Sequence, residues 1–134
     1  MALSKKKKYI LLKALKFGKE KLGITKPFTL KLSENRKGFQ TTAYYNPETG
    51  EIAIYVKDRA IPDICRSSLH ELQHHKDNEL GNVKGNEPNA GIIDNKGNIK
   101  ADDLENKANS VAGSLLKQFA KKIKEEEKID IYNL

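Results

Sequence analysis

"IPDICRSSLHELQHHKDNEL", residues 61–80, holds all three histidines of the chain within six residues, His70 to His75. Ile61, Cys65, Leu69 and Leu72 recur at three- and four-residue intervals, the period of an amphipathic helix. Pro62 suits a first helical turn, where its missing N–H costs nothing, and Asp63 complements the positive end of the helix dipole. Residues four apart share a helix face, about 6 Å apart along the axis. His70 and His74 can therefore turn both imidazoles toward one ion, with Glu71 at the border of that face. H-E-x-x-H on a helix is what a hydrolytic zinc site needs: two neutral nitrogen ligands, an open position for water, and a carboxylate to take the water's proton. The plain alternative is a polar helix face turned to solvent. His75 and Cys65 each lie five residues from His70, off the shared face, and Cys65 reads as a small core residue.

The flanking segments give the helix something to pack on. Leu11, Leu15, Gly18 and Leu22 mark a first amphipathic helix over about 5–22, ended near Gly23. Phe28, Leu30 and Leu32 alternate with polar residues, as in a strand. "FQTTAYY" (39–45) and "EIAIYV" (51–56) flank the turn residues "NPETG", so 39–56 reads as a hairpin. After residue 80, the Gly- and Asn-rich 81–101 reads as a long loop, with a small hairpin around "DNKGN", suited to a lid or a substrate wall. A last helix is expected from near Asp102, with Leu104, Ala108, Val111, Ala112, Leu115, Phe119 and Ile123 as its apolar stripe. "IDIYNL" (129–134) is a short tail. Helix, three strands, helix, loop, helix is an α+β order.

A catalytic zinc site wants three protein ligands. With one cysteine and no further histidine, the third must be a carboxylate. Glu105 sits at the edge of the last helix's apolar stripe, where an inward acid needs compensation. Small Ala108 and Ala112 on that side let two helices approach closely. Asp102 and Asp103 are the fallbacks, one of them suited to cap the helix. All three acids also fit a helix N-terminus for dipole reasons alone.

The 134 residues carry a net charge of +7. The charge is uneven: residues 1–37 hold 12 Lys and Arg against 2 acids, residues 38–134 hold 13 against 16. A basic front can attract nucleic acid, but no aromatic interleaving accompanies it, and a solvated helix face explains it as well. Length fits one domain over 1–134, with 1–8 as a basic N-terminal extension. No apolar run approaches a membrane span, Lys13 and Lys16 interrupt the one segment that begins like a signal peptide, and the single cysteine excludes an intrachain disulfide. A monomeric cytoplasmic protein, with no membrane partner, is the expectation.

"HELQH" with the downstream "ENKANSVAGSLL" resembles the gluzincins, zincin metallopeptidases whose third ligand is a glutamate on a second helix. The closest likenesses are the minigluzincins and the ImmA/IrrE-type peptidase domains, over about residues 5–123. The resemblance implies a minimal zincin-like fold. It implies zinc held by His70, His74 and Glu105, with Glu71 as general base and acid. It also implies that 51–56 is the sheet edge along which a peptide substrate pairs. Gln73 and His75 depart from the small or aliphatic residues common around the motif. An oxyanion donor is not singled out; Tyr45, Tyr55, His75 and Tyr132 are the candidates. The tail 129–134 is a candidate for occupying the cleft. Two other readings compete: a non-catalytic zincin-fold structural or binding protein, for instance phage- or virion-associated, and a nucleic-acid binder acting through residues 1–37.

Overall fold

A computed structural model of the chain describes residues 3–37, 41–81 and 99–134, and side chains from residue 104 onward in the last segment. It is α+β: α1 (Lys5–Leu22), β1 (Thr29–Ser33), β2 (Ala43–Asn46), β3 (Glu51–Tyr55), α2 (Ile61–Glu79), α3 (Ile99–Glu127) and a 3-10 turn (Ile131–Asn133). The 81–101 loop expectation, its small hairpin included, falls mostly on residues outside those described.

Helix ends follow local chemistry. Ser4 caps α1 by accepting from the Lys7 N–H. Lys5–Lys8 form the first turn of α1, as the helix expected over 5–22 has it, so the basic extension expected over 1–8 is helical from Lys5 on. At the other end Gly23 is left-handed at φ 66°, and the N–H groups of Gly23 and Ile24 close back onto Glu20 and Lys19. That is the Schellman stop, which a residue with a Cβ adopts at a cost. Pro62 and Asp63 lie in the first turn of α2 as expected. α3 starts three residues before the expected Asp102. Ile99, Lys100 and Ala101 contain no helix breaker, so Asp102 and Asp103 lie inside the helix and neither caps it.

The sheet is mixed, in the order β1-β3-β2. β3 runs parallel to β1, with Leu30 opposite Ile52, and antiparallel to β2, with Ala43 opposite Ile54. The expected hairpin therefore holds over Ala43–Tyr55, residues 39 and 40 lying outside those described, and its turn is closed by Asn46, whose side chain accepts from the N–H groups of Glu48 and Thr49. The edge assignment does not hold. Residues 51–55 form the central strand, paired on both sides, and no peptide can add to it. The consecutive apolar Ile52, Ala53 and Ile54 are all buried, which is how a strand covered on both faces reads. Among the described residues, the unpaired edges belong to β1 and β2.

α2 runs through the middle of the molecule. It packs on α1, on α3 and on the β2–β3 hairpin, burying Ile61, Ile64, Cys65, Leu69 and Leu72. Gly18 of α1 faces it so closely that a Cβ there would meet Leu69 Cδ2 at 2.6 Å and Leu72 Cδ2 at 2.9 Å. Ala108 and Ala112 of α3 are fully buried, and small side chains let backbones approach in the same way. The Phe17 and Phe119 rings, 5.9 Å apart, join α1 to α3. Ile131 is buried in this core, so the tail closes the hydrophobic cluster and contacts α2. No helix among the described residues is long and apolar enough to cross a membrane.

Candidate metal centre

α2 and α3 lie antiparallel side by side, and three side chains meet across their groove. His74 Nε2 is 2.8 Å from Glu105 Oε2, and His70 Nε2 is 3.1 Å from Glu105 Oε1. The two Nε2 atoms are 3.2 Å apart. The motif thus projects both imidazoles from one face of α2, as its spacing predicts, and Glu105 arrives from the other helix. Among the described residues these three form the group of ligand-type side chains that converges on one point. A tetrahedral zinc with bonds of about 2.0–2.2 Å sets its ligand atoms about 3.3–3.5 Å apart. The observed separations are within about half an ångström of that, and two nitrogens with one carboxylate oxygen are donors zinc accepts. The residues fit the ion.

Burial lowers the pKa of His74 from its ordinary value, against the opposing pull of the Glu105 carboxylate. A neutral imidazole is the ligand form. Glu71 is 8% exposed, and burial, with a smaller push from the Glu105 charge, raises its carboxyl to about 8. A cation between His70, His74 and Glu105 acts in the opposite sense and draws that carboxyl toward its ionised form. Glu105 itself departs from the inward burial expected of it. Its side chain is 59% exposed, reaching over the groove onto the two rings.

A cleft of about 450 Å³ opens beside the triad, bounded by His70, Glu71, His74, Leu104 and the edge strand β2 with Tyr45. Of the oxyanion candidates, only Tyr45 lines it. His75 is buried, with Nε2 2.9 Å from the Lys26 carbonyl and Nδ1 2.7 Å from the Tyr45 hydroxyl. A carbonyl only accepts, so Nε2 carries the proton and Tyr45 donates to Nδ1, while Asn78 Nδ2 donates to the Tyr45 oxygen. The one proton of Tyr45 is committed to His75. Tyr55 and Tyr132 line neither cleft that borders the triad. Tyr132 belongs to the tail, which does not occupy either cleft. Cys65 is fully buried and burial pushes its thiol up to about 12, as suits a core residue.

Two supporting features escape sequence reasoning. Asp77, fully buried on α2, pairs with Lys107 of α3 at 2.9 Å and fastens the helices beside the triad. Its place three residues after His74 is the signal that puts it on the ligand side of the helix. Asn78 bonds the Tyr45 hydroxyl and the Pro47 carbonyl; nothing in its local sequence indicates a contact with the hairpin. Comparison with protein-family models, curated proteins and solved structures finds no match.

Proposed function

We propose that this chain is a zinc-dependent metallopeptidase of the gluzincin kind, with a minimal zincin-like fold. The observation that carries the reading is the meeting of His70, His74 and Glu105 at 2.8–3.2 Å, with a buried Glu71 beside them on the wall of an open cleft. His70 and His74 would hold zinc through Nε2, and Glu105 through its carboxylate. Zinc bound there supplies Lewis acidity toward a water and toward the substrate carbonyl. Glu71 takes the proton of that water as the C–O bond forms, then delivers it to the amine nitrogen as the C–N bond breaks. Burial keeps the carboxylate poorly solvated and therefore a stronger base than a surface glutamate. The substrate is a peptide lying extended along β2, the sheet edge that borders the cleft, in place of the 51–56 strand.

A second reading, a non-catalytic zincin-fold binding protein, is favoured by one observation: the hydroxyl of Tyr45, the tyrosine nearest the role of oxyanion donor, has its proton engaged by His75. Two measurements separate the readings. Elemental analysis of protein never exposed to chelator is expected to find one zinc per chain, and its absence removes the peptidase reading. Zinc-loaded wild type is then incubated with casein, with and without chelator. Cleavage that chelator stops, and that Glu71→Gln loses while keeping its zinc, is the peptidase result. No cleavage by loaded wild type leaves the binding protein.

A further inference from the structure

The cleft has a second arm that leads away from the triad. It spans about 370 Å³ and shares His70, Glu71 and Glu105 with the first arm, then continues past Asn109 to Arg66. Arg66 lies one helical turn before His70, on the same face of α2. Its guanidinium rests over α3 where Gly113 lacks a side chain; a Cβ there would stand 3.5 Å from Arg66 Nη2. The side chain is exposed, and among the described residues it has neither ion pair nor hydrogen bond.

Its neighbour Arg59 shows what a structural arginine looks like in this fold. Arg59 is 7% exposed and bonds Asp63 Oδ2, the Tyr55 carbonyl and Ser67 Oγ. That pair also neutralises Asp63, the acid that lines this arm. The other acids in it, Glu71 and Glu105, stand at the triad end. Among the described residues, the wall at the far end offers one unneutralised charge, the Arg66 cation, beside the hydroxyls of Thr42 and Ser67 and the amide of Asn109. A planar guanidinium with a fixed fork of donors is the group best matched to a carboxylate.

We propose that Arg66 forms a carboxylate-binding subsite, so that the peptides this cleft takes are acidic ones. The substrate class rests on the peptidase reading; the ligand chemistry does not. The carboxylate comes from an acidic side chain or from the peptide's own C-terminus. Gly113 lies eight residues beyond Glu105, about 12 Å along α3. An extended peptide advances about 3.3 Å per residue. The recognised carboxylate therefore sits about three to four residues from the scissile bond.

The test reads binding. Fluorescein-labelled hexapeptide pools, randomised over Ala, Leu and Ser, carry one Glu or one Gln walked through the positions, each with a free or an amidated C-terminus. They are titrated by anisotropy into full-length, zinc-loaded Glu71→Gln protein at low ionic strength. A carboxylate-bearing pool is expected to bind about 10- to 100-fold more tightly than the pool with neither carboxylate. Whichever single-carboxylate pool shows the preference names the source. Adding Arg66→Gln should bring the preference below about twofold, and Arg66→Lys should keep only part of it. No preference, no binding of any pool, or a preference that survives Arg66→Gln overturns the subsite. Wild-type cleavage separates the two readings. Chelator-sensitive cutting of the neutral pool without charge preference keeps the peptidase and removes the subsite. An Arg66-dependent preference without any cutting does the reverse.

Discussion

Tyr45 and His75 share one proton, and the Lys26 carbonyl decides where it sits. Because Nε2 of His75 must donate to that carbonyl at 2.9 Å, the Tyr45 hydroxyl must donate to Nδ1. Tyr45→Phe leaves a buried imidazole nitrogen without its donor and is expected to cost about 1–2 kcal/mol of stability, read by urea unfolding. Were Tyr45 an oxyanion donor, the same change would lower kcat by about 100-fold or more. The expectation from the network is a loss below about tenfold on any peptide that wild type cuts. Lys107→Met tests the other supporting pair. It removes the cation at 2.9 Å from the fully buried Asp77, and Lys107 is itself 47% exposed, so solvent screens the pair in part. The expected destabilisation is about 1–3 kcal/mol, with weaker zinc retention against a chromophoric chelator, because the α2–α3 groove then holds Glu105 less firmly. An unchanged zinc affinity would limit Lys107 to a stabilising role. His70, Glu71 and His74 are legible in the sequence because H-E-x-x-H fixes a face of one helix. The Tyr45–His75 and Asp77–Lys107 pairs each join residues about thirty apart in the chain, and local periodicity carries no information on such contacts.

Among the elements, helices are more legible in the sequence than strand neighbours. A helix makes its hydrogen bonds within its own segment, so Gly23, Pro62 and the apolar stripes locate it. Strands bond to distant segments. The apolar residues of 51–56 mark a buried strand and cannot reveal which strands lie on either side. The signal available was Ala53 between Ile52 and Ile54, an apolar run suited to a strand covered on both faces. The start of α3 was misplaced because Asp102 and Asp103 look like caps, while the residues before them are equally able to be helical. Gly18 shows the tightest element contact. Glycine inside a helix costs about 1 kcal/mol relative to alanine, and here it admits Leu69 and Leu72 to within 2.6 and 2.9 Å of where a Cβ would be. Gly18→Val should destabilise the protein by about 2–3 kcal/mol through overpacking, as midpoint loss in urea at unchanged m-value. A neutral result would mean that the α1–α2 contact opens without penalty.

At the scale of the whole molecule, the acids that tie its parts together make its stability depend on pH. Glu79, at the end of α2, accepts from the N–H groups of Thr25 and Lys26 at 2.8 and 2.6 Å and so anchors the link from α1 to β1. The backbone donors from Lys26 and Thr25, more than the Lys76 ammonium, hold its carboxyl down to about 2. Glu127, bonded by the Tyr9 hydroxyl, and Asp130, bonded by Asn133 and the Tyr132 N–H, are lowered for the same kind of reason. A carboxyl whose folded-state pKa lies below its unfolded value binds fewer protons folded than unfolded. Its contribution is complete above the unfolded pKa of about 4.5 and disappears as pH falls toward the folded one. For Glu79 the window is about pH 4.5 down to about 2. Wild type should therefore show a melting temperature that declines across that window. Glu79→Gln should start lower at pH 7, decline less, and meet wild type near pH 2. All other side chains are common to both proteins, so the difference between the two curves isolates Glu79. Parallel curves from pH 7 to 2 would mean that the α2 terminus does not anchor the sheet through this carboxylate.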